Sequence, residues 1–563
     1  MDVQQLNERA LIPALNMPLA TTVKRNEKYL REIFTGASDA VFRTLQSKDA
    51  HPLLVVYIDG LIDTKQLEET VLQPCLRERN PDRNLDQSPD CSEDRSQGRS
   101  QSQERSQEQS RSQDRRLGQN SDCSQEQSQG RNRRASETAE QRLDHLAGLL
   151  VVGDIKRAKR FDELAHALLN GSVAVLAHGC REALLANLPG WETRAIEEAA
   201  NESGIRGPRE GFTESLRTNT SMIRRRLRTP LLKLEAVTVG RISRTNVVIA
   251  YLEGLVDRSV LEEARRRIGA IRTDMVLDAH YVEEFIEDVE WSPFPQILNT
   301  ERVDVVAASM FEGKVGILVD GSPQILVLPM TLWSGLQSSE DYYERSIYSI
   351  PIRWLRYLLL FMTVSITPTY VALTTFHPEM LPTNLLLSFA AAREPSPVPT
   401  AVEALVMDLL FEGLREAGVR LPRNVGPAIS IVGGLVLGQA AVDAGIVSAP
   451  VVIVVAASGV ASFTVPRYSF SFSFRLLRFP VLLLAALLGL YGITVAFLAV
   501  LIHLVNLQSF GVPYLAPVPS RSRIGWRDVV LPQAKRASFA RKPASGASSP
   551  QQGHEDERRD DGS

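Results

Sequence analysis

The sequence predicts an α/β soluble head of two related subdomains joined to an α-helical, multi-span transmembrane domain. Four stretches near the C-terminal end, Tyr357–Phe376, Asn424–Val442, Ala444–Pro466 and Phe479–Ile502, contain no Asp, Glu, Lys or Arg. About 30 Å of hydrocarbon takes roughly 20 apolar helical residues to cross, and three of the four reach that length while the other comes close. The water-soluble remainder repeats itself. Leu54-Val-Val-Tyr-Ile-Asp-Gly-Leu-Ile-Asp returns as Val248-Ile-Ala-Tyr-Leu-Glu-Gly-Leu-Val-Asp, and Gly171-Ser-Val-Ala-Val-Leu-Ala-His-Gly as Gly313-Lys-Val-Gly-Ile-Leu-Val-Asp-Gly. Each copy opens and closes with a short apolar strand running into a Gly turn, with helical sequence between.

Residues 1–28 form an N-terminal extension. Met1–Ala20 has no basic region followed by an apolar core and cleavage site, so no secretory signal is read there and the head is expected in the cytosol. Residues 29–79 and 137–205 make the first subdomain, split by an insert at 80–136. From Tyr57 to Gly179 is 122 positions and from Tyr251 to Gly321 is 70, so the first copy is longer by 122 − 70 = 52. The surplus matches the insert, a Ser/Gln/Glu/Arg tract with too little apolar surface to offset the entropy of ordering it. Its arginines are interleaved with acids, which points to a solvated loop and not to a nucleic-acid site. Cys75, Cys91, Cys123 and Cys180 lie far apart without a C-x-x-C pair, as expected of free thiols in a reducing compartment.

Residues 206–345 hold a linker and the second subdomain. Arg224, Arg225, Arg226 and Arg228 in the linker fit either phosphate or anionic lipid, or acids across a subdomain or subunit contact. The chain carries 63 Lys and Arg against 66 Asp and Glu, so no overall field favours nucleic acid. No phosphate loop, metal-spaced His/Cys set or Ser/His/Asp constellation stands out, so neither enzyme activity, metal nor cofactor is expected.

Residues 346–519 are assigned to the membrane and 520–563 to a flexible tail. Pro368 interrupts the first apolar stretch, and Met380–Ala392 is too short to span, so it reads as re-entrant or interfacial. Asp408, Glu412 and Glu416 at i, i+4 and i+8 share one helix face. This ladder is either the wet face of an interfacial helix or, repeated around a ring of subunits, a cation-attracting mouth. In Asn424–Val442 the small residues Gly433, Gly434 and Gly438 allow close helix packing. Arg345, Arg353 and Arg356 before the first span and Arg521, Arg523 and Arg527 after the last place both ends inside. A loop holding Arg467, Arg475 and Arg478 then faces outward, a conflict the sequence leaves open.

Several tracts carry a family resemblance. They are Pro208-Arg-Glu-Gly-Phe-Thr-Glu, Thr218-Asn-Thr-Ser-Met-Ile-Arg-Arg-Arg-Leu, Ser292-Pro-Phe-Pro-Gln, Asp320-Gly-Ser-Pro, Phe411-Glu-Gly-Leu-Arg-Glu-Ala-Gly-Val-Arg-Leu-Pro, Val432-Gly-Gly-Leu-Val-Leu-Gly-Gln-Ala-Ala-Val and Ser509-Phe-Gly-Val-Pro-Tyr. The chain resembles the A subunit of GerA-type spore germinant receptors from about Tyr29 to Pro519, outside the insert. The insert departs from that pattern, as does Thr300-Glu-Arg-Val-Asp, where Pro is expected before Asp. The resemblance implies a multi-pass protein of the endospore inner membrane that helps trigger germination. Its implied partners are a B subunit like an amino-acid transporter and a lipoprotein C subunit. It also implies a homo-oligomer, a pentameric ring around a cation pathway. On that footing Val432, Leu435, Val436 and Gln439 are pore-lining candidates, with Asp408, Glu412 and Glu416 at the mouth. A transporter component and a non-conducting scaffold are the competing readings.

Overall fold

The computed structural model describes residues 12–46, 52–77, 139–190, 202, 206–420, 436, 438–517 and 529. The chain forms two compact units, Met1–Glu192 with Leu227–Leu231, and Thr193–Arg226 with Leu232–Ser563. The insert, the tail apart from Val529, Cys91 and Cys123 lie outside the described residues, whereas Cys75 and Cys180 are buried and not joined in a disulfide.

The first unit contains α1 (Val23–Ile33), β1 (Ala40–Gln46), β2 (Pro52–Ile58) and a helical run, α2, through Thr64–Leu67, Glu68–Leu72 and Gln73–Arg77. After them come α3 (Ala139–Leu149), β3 (Ile155–Ala158), α4 (Phe161–Leu169), β4 (Ser172–Ala177) and β5 (Ala183–Asn187). Its antiparallel sheet runs β1-β2-β4-β5-β3. Leu54, Val56 and Ile58 pack on one face with α1 and α4, and Leu53, Val55 and Tyr57 on the other with α2 and α3. That two-sided cover is why these strands read as continuous apolar runs and not as alternating ones.

The second unit repeats the plan. It holds α5 (Leu216–Arg226), β6 (Leu232–Val239), β7 (Thr245–Leu252), α6 (Arg258–Ala270), α7 (Ala279–Ile286), β8 (Leu298–Thr300), α8 (Val303–Phe311), β9 (Val315–Val319) and β10 (Ile325–Leu328). The sheet order, β6-β7-β9-β10-β8, matches the first position for position. The repeated residues do the same physical jobs. Gly60 and Gly254 turn the chain at φ 82° and 86°, a region where a side chain is strained. Asp63 and Asp257 then cap the following helices, accepting from Lys65 N at 2.9 Å and from Ser259 N at 3.0 Å.

The linker arginines are settled by local partners. Arg224 is fully buried and donates to Leu232 O at 2.9 Å. Arg225 and Arg226 pair with Glu210 at 3.7 and 2.8 Å. Arg228 donates to Asn170 Oδ1 at 3.1 Å.

After α9 (Leu332–Leu336) and α10 (Glu340–Tyr343), the second unit continues into α11 (Ser346–Thr375), α12 (Thr383–Arg393), α13 (Thr400–Arg420), α14 (Ala449–Ser462), α15 (Tyr468–Asn506) and a hairpin of β11 (Gln508–Ser509) and β12 (Val512–Pro513). Among the described residues two helices, α11 and α15, are long and apolar enough to cross a membrane by length and composition. Helix α11 starts 11 residues before the uncharged stretch (357 − 346), and so takes in Arg353 and Arg356. Both arginines are tied to Asp341 at 3.0 Å, and Arg356 also donates to Leu336 O at 2.9 Å.

The reading of Phe479–Ile502 as one span is corrected. Gly489 breaks α15 with φ 63° and ψ −141°, and the helix folds back there. Phe474 and His503 both pack on Phe294, at ring-centroid distances of 5.5 and 6.0 Å. In a straight helix, residues 29 apart (503 − 474) would be separated by about 43 Å. The arms 468–488 and 490–506 are about 31 and 25 Å long. Gly492 sits where a Cβ would lie 2.1 Å from Leu484 O, and Gly489 where it would lie 3.0 Å from Phe376 Cβ. Hairpin and α11 therefore meet through glycine. Arg475 and Arg478 are in the first helical arm and not in a loop, with Arg467 just ahead of it.

Candidate functional site

Along α13 the three carboxylates of the ladder part company. Asp408 is fully buried, Glu412 has a 22% exposed side chain, and Glu416 is 57% exposed. Of the three, only Glu416 faces outward, where it pairs with Arg420 at 2.6 Å. Helical drift and the packed hairpin separate them: 400° of rotation between successive members accumulates to 80° over the three, enough to carry the last off the contact face.

Asp408 and Glu412 enter a buried ionic cluster. Arg478 of the first α15 arm reaches Asp408 at 3.2 Å and Glu412 at 3.3 Å, and donates to Ser458 Oγ of α14 at 3.1 Å. Ser458 in turn donates to Thr363 O of α11 at 2.9 Å, so four helices share the network. Arg475 pairs with Glu412 at 3.0 Å. Arg415 lies 3.5 Å from Glu412, donates to Ser462 Oγ at 2.6 Å, and stacks on Phe411 and Phe463 at 5.1 and 4.2 Å. Two carboxylates thus meet three guanidinium groups. Gly459 permits this approach, since a Cβ there would lie 2.3 Å from the Phe411 ring. The outer faces of the same helices are apolar, with Leu409, Leu483 and Leu487 exposed.

The sequence reading missed the arginine half of this cluster. The i, i+3 spacing of Arg475 and Arg478 on one helix face is the signal, obscured because a short charged segment between two apolar stretches reads as a loop. Glu403, also unnoticed, is buried and accepts from Ser448 N at 3.0 Å and Ser448 Oγ at 2.7 Å, which ties the start of α13 to that of α14.

Of the pore candidates, Val432 and Leu435 lie outside the described residues, as do Gly433 and Gly434. Val436 is 55% exposed. Gln439 is exposed and donates to Asp443 Oδ1 at 2.9 Å. Gly438 packs toward Val452, with 3.6 Å from a would-be Cβ to Cγ1. Among the described residues no group of three His, Cys, Asp or Glu side chains is placed to hold a metal ion.

A second network joins α/β sheet and helices within the same unit. Arg467, at the start of α15, donates to Asn299 O of β8 and pairs with Glu202, both at 3.1 Å. Glu202 accepts from Thr300 Oγ1 at 2.7 Å. Nearby, Asp304 accepts from Tyr343 Oη at 2.7 Å and pairs with Arg302 at 2.9 Å; burial and the Asp304 carboxylate push the Tyr343 phenol up to about 12. His503, near the end of α15, also bonds to the α/β portion. Its Nε2 lies 2.9 Å from Ser292 Oγ.

A doubled α/β portion continuous with apolar helices around a buried ionic cluster defines a two-part class of protein, an α/β head with an apolar helical portion. Residues 28–544 match the family described as Bacillus/Clostridium GerA spore germination protein, and the chain belongs to that family. An uncharacterized membrane protein, YfkQ, of Bacillus subtilis is 38% identical over 94% of this chain and 92% of its own length. Spore germination protein KA of the same organism is 38% identical over 94% and 86%. Spore germination protein A1, also from Bacillus subtilis, is 41% identical over 68% and 78%. A solved N-terminal domain of the A subunit of the Bacillus megaterium spore germinant receptor GerK3 is 24% identical, covering 55% of this chain and 96% of that one, with a TM-score of 0.37.

Proposed function

We propose that this protein acts in spore germination as the A subunit of a nutrient germinant receptor in the endospore inner membrane, its α/β head in the cytosol. Copies of it form a nutrient-gated cation channel, a ring of five, working with a transporter-like B subunit and a lipoprotein C subunit. The germination role is supported by family membership and by the relatives named as spore germination proteins.

The observation that carries the channel reading is the buried cluster of Asp408, Glu412, Arg415, Arg475 and Arg478 inside helices with apolar outer faces. Ionised groups at membrane depth are costly and mark ion pathways or moving charges, whereas an anchor or scaffold would be served by an apolar core. In this reading Glu416 guards the mouth, and Asp408 and Glu412 hold α13 to the α15 hairpin. Val432, Leu435, Val436 and Gln439 face the pore while Gly433, Gly434 and Gly438 pack the helix behind it. The exposed positions of Val436 and Gln439 in the single chain support that placement.

The broken α15 also favours a transporter component, since interrupted helices build substrate sites. Recording from purified protein in vesicles separates these readings. A channel gives unitary conductance, a transporter gives flux without it, and a scaffold passes nothing. Val432→Ala should loosen the gate and give germination without nutrient; a variant that stays fully nutrient-dependent places the gate elsewhere.

A further inference from the structure

We infer that Trp291 anchors the second α/β subdomain to the membrane surface, with its indole in the headgroup layer beside the end of α15. The inference rests on the reading that the α15 hairpin is embedded in the bilayer. It does not require conduction.

Trp291 is 94% exposed, extreme for the largest apolar side chain. Its neighbour Ser292 is bonded to His503 at 2.9 Å, and Phe294 stacks on the same imidazole. His503 lies in the last turn of α15, which ends at Asn506 and runs into the β11–β12 hairpin, so the contact holds Trp291 beside the end of the apolar helix. The second arm of α15 is exposed along Leu498, Leu501, Ile502 and Val505, while His503, about 100° round the helical wheel from Ile502, is turned to Ser292 and Phe294. Trp291 stands beside this helix end through Ser292, and the half-exposed Phe285 and Val289 precede it in the chain.

Indole rings, with an apolar body and one N–H, favour the headgroup region. The acids around it do not oppose contact strongly. Glu283 accepts from Asn299 at 3.0 Å, while Asp288 pairs with Arg267 at 2.5 Å and accepts from Phe510 N at 2.7 Å. Glu284 and Glu290 remain on the rim, facing water.

The test uses the full-length chain in phosphatidylethanolamine/phosphatidylglycerol nanodiscs, with Cys75, Cys91, Cys123 and Cys180 replaced by Ala and one cysteine reintroduced for a nitroxide label. The positions are 291 (Trp291→Cys), 498 (Leu498→Cys) and 242 (Ile242→Cys), the last being 72% exposed on the β6–β7 turn. The ratio of oxygen to nickel-chelate accessibility should be highest at 498, lowest at 242 and intermediate at 291. A water-like ratio at 291 with a lipid-like ratio at 498 overturns the anchor. A water-like ratio at 498 overturns the membrane reading of α15 instead. Spin–spin broadening confined to 291 would show a second copy covering the site and would also sink the proposal. As a check without cysteine exchange, lipids brominated near the headgroup should quench native emission more in the wild type than in Trp291→Phe; equal quenching contradicts the inference.

Discussion

Glu412 offers the sharpest test of the buried cluster. Its carboxylate faces guanidinium groups at 3.0, 3.3 and 3.5 Å, on arginines whose side chains are 5%, 1% and 10% exposed. At an effective dielectric of about 20, one such contact near 3.3 Å is worth about 5 kcal/mol before desolvation is subtracted. Removing the carboxylate does not return that gross figure, because the ions have already left water. It leaves three buried cations facing Asp408 alone, and breaking a buried pair in this way costs about 3–5 kcal/mol. The control lies one helical turn away. Glu416 and Arg420 are 57% and 79% exposed, so Glu416→Gln should cost about 0–1 kcal/mol. Equilibrium unfolding of the full-length protein in detergent micelles measures both. Adding Arg475→Gln to Glu412→Gln should recover part of the loss, since the double variant removes one of the uncompensated cations. Equal costs for Glu412→Gln and Glu416→Gln, or no recovery in the double variant, would refute the reasoning.

Gly489→Ala should reduce the yield of folded protein, because φ 63° with ψ −141° is closed to alanine and the new Cβ would lie 3.0 Å from Phe376; about 1–3 kcal/mol of backbone strain is expected, read as lowered thermal stability. Asp341→Asn leaves Arg353 and Arg356 buried without their carboxylate, and a loss of about 3–5 kcal/mol in detergent unfolding is expected, against under 1 kcal/mol for the solvent-facing Arg241→Gln. Burial, reinforced by Glu283, raises the Glu287 carboxyl to about 7. The folded state then holds the proton more tightly than the unfolded one, so this group makes stability fall as pH rises from about 4.5 to about 7. Discounted for partial exposure, the effect is about 1–2 kcal/mol; Glu287→Gln should flatten the pH profile of the melting temperature over that window, and an unchanged profile contradicts the assignment.

The duplication was legible because its residues carry local instructions. Gly60 and Gly254 are needed for φ beyond +80°, and Asp63 and Asp257 for capping, whatever surrounds them. The apolar stretches were legible for a similar reason, since the absence of charge is read one residue at a time. The hairpin was not. A single glycine among small and apolar neighbours, Leu488-Gly489-Leu490, looks like an ordinary position in a spanning helix, and only the contacts of Phe376 and Phe294 identify it as the turn.

By itself, then, the sequence determined the two α/β repeats, the split by a polar insert, the apolar C-terminal portion and the family. Tertiary structure alone decided which carboxylates point inward. Asp408, Glu412 and Glu416 have equal claims on one helix face. Their fates diverge because Arg475 and Arg478, more than 60 residues later in the chain, lie on the first arm of α15 where it packs against the first two. Pairing of buried charges is a property of neighbours in space, and no periodicity within a single segment encodes it.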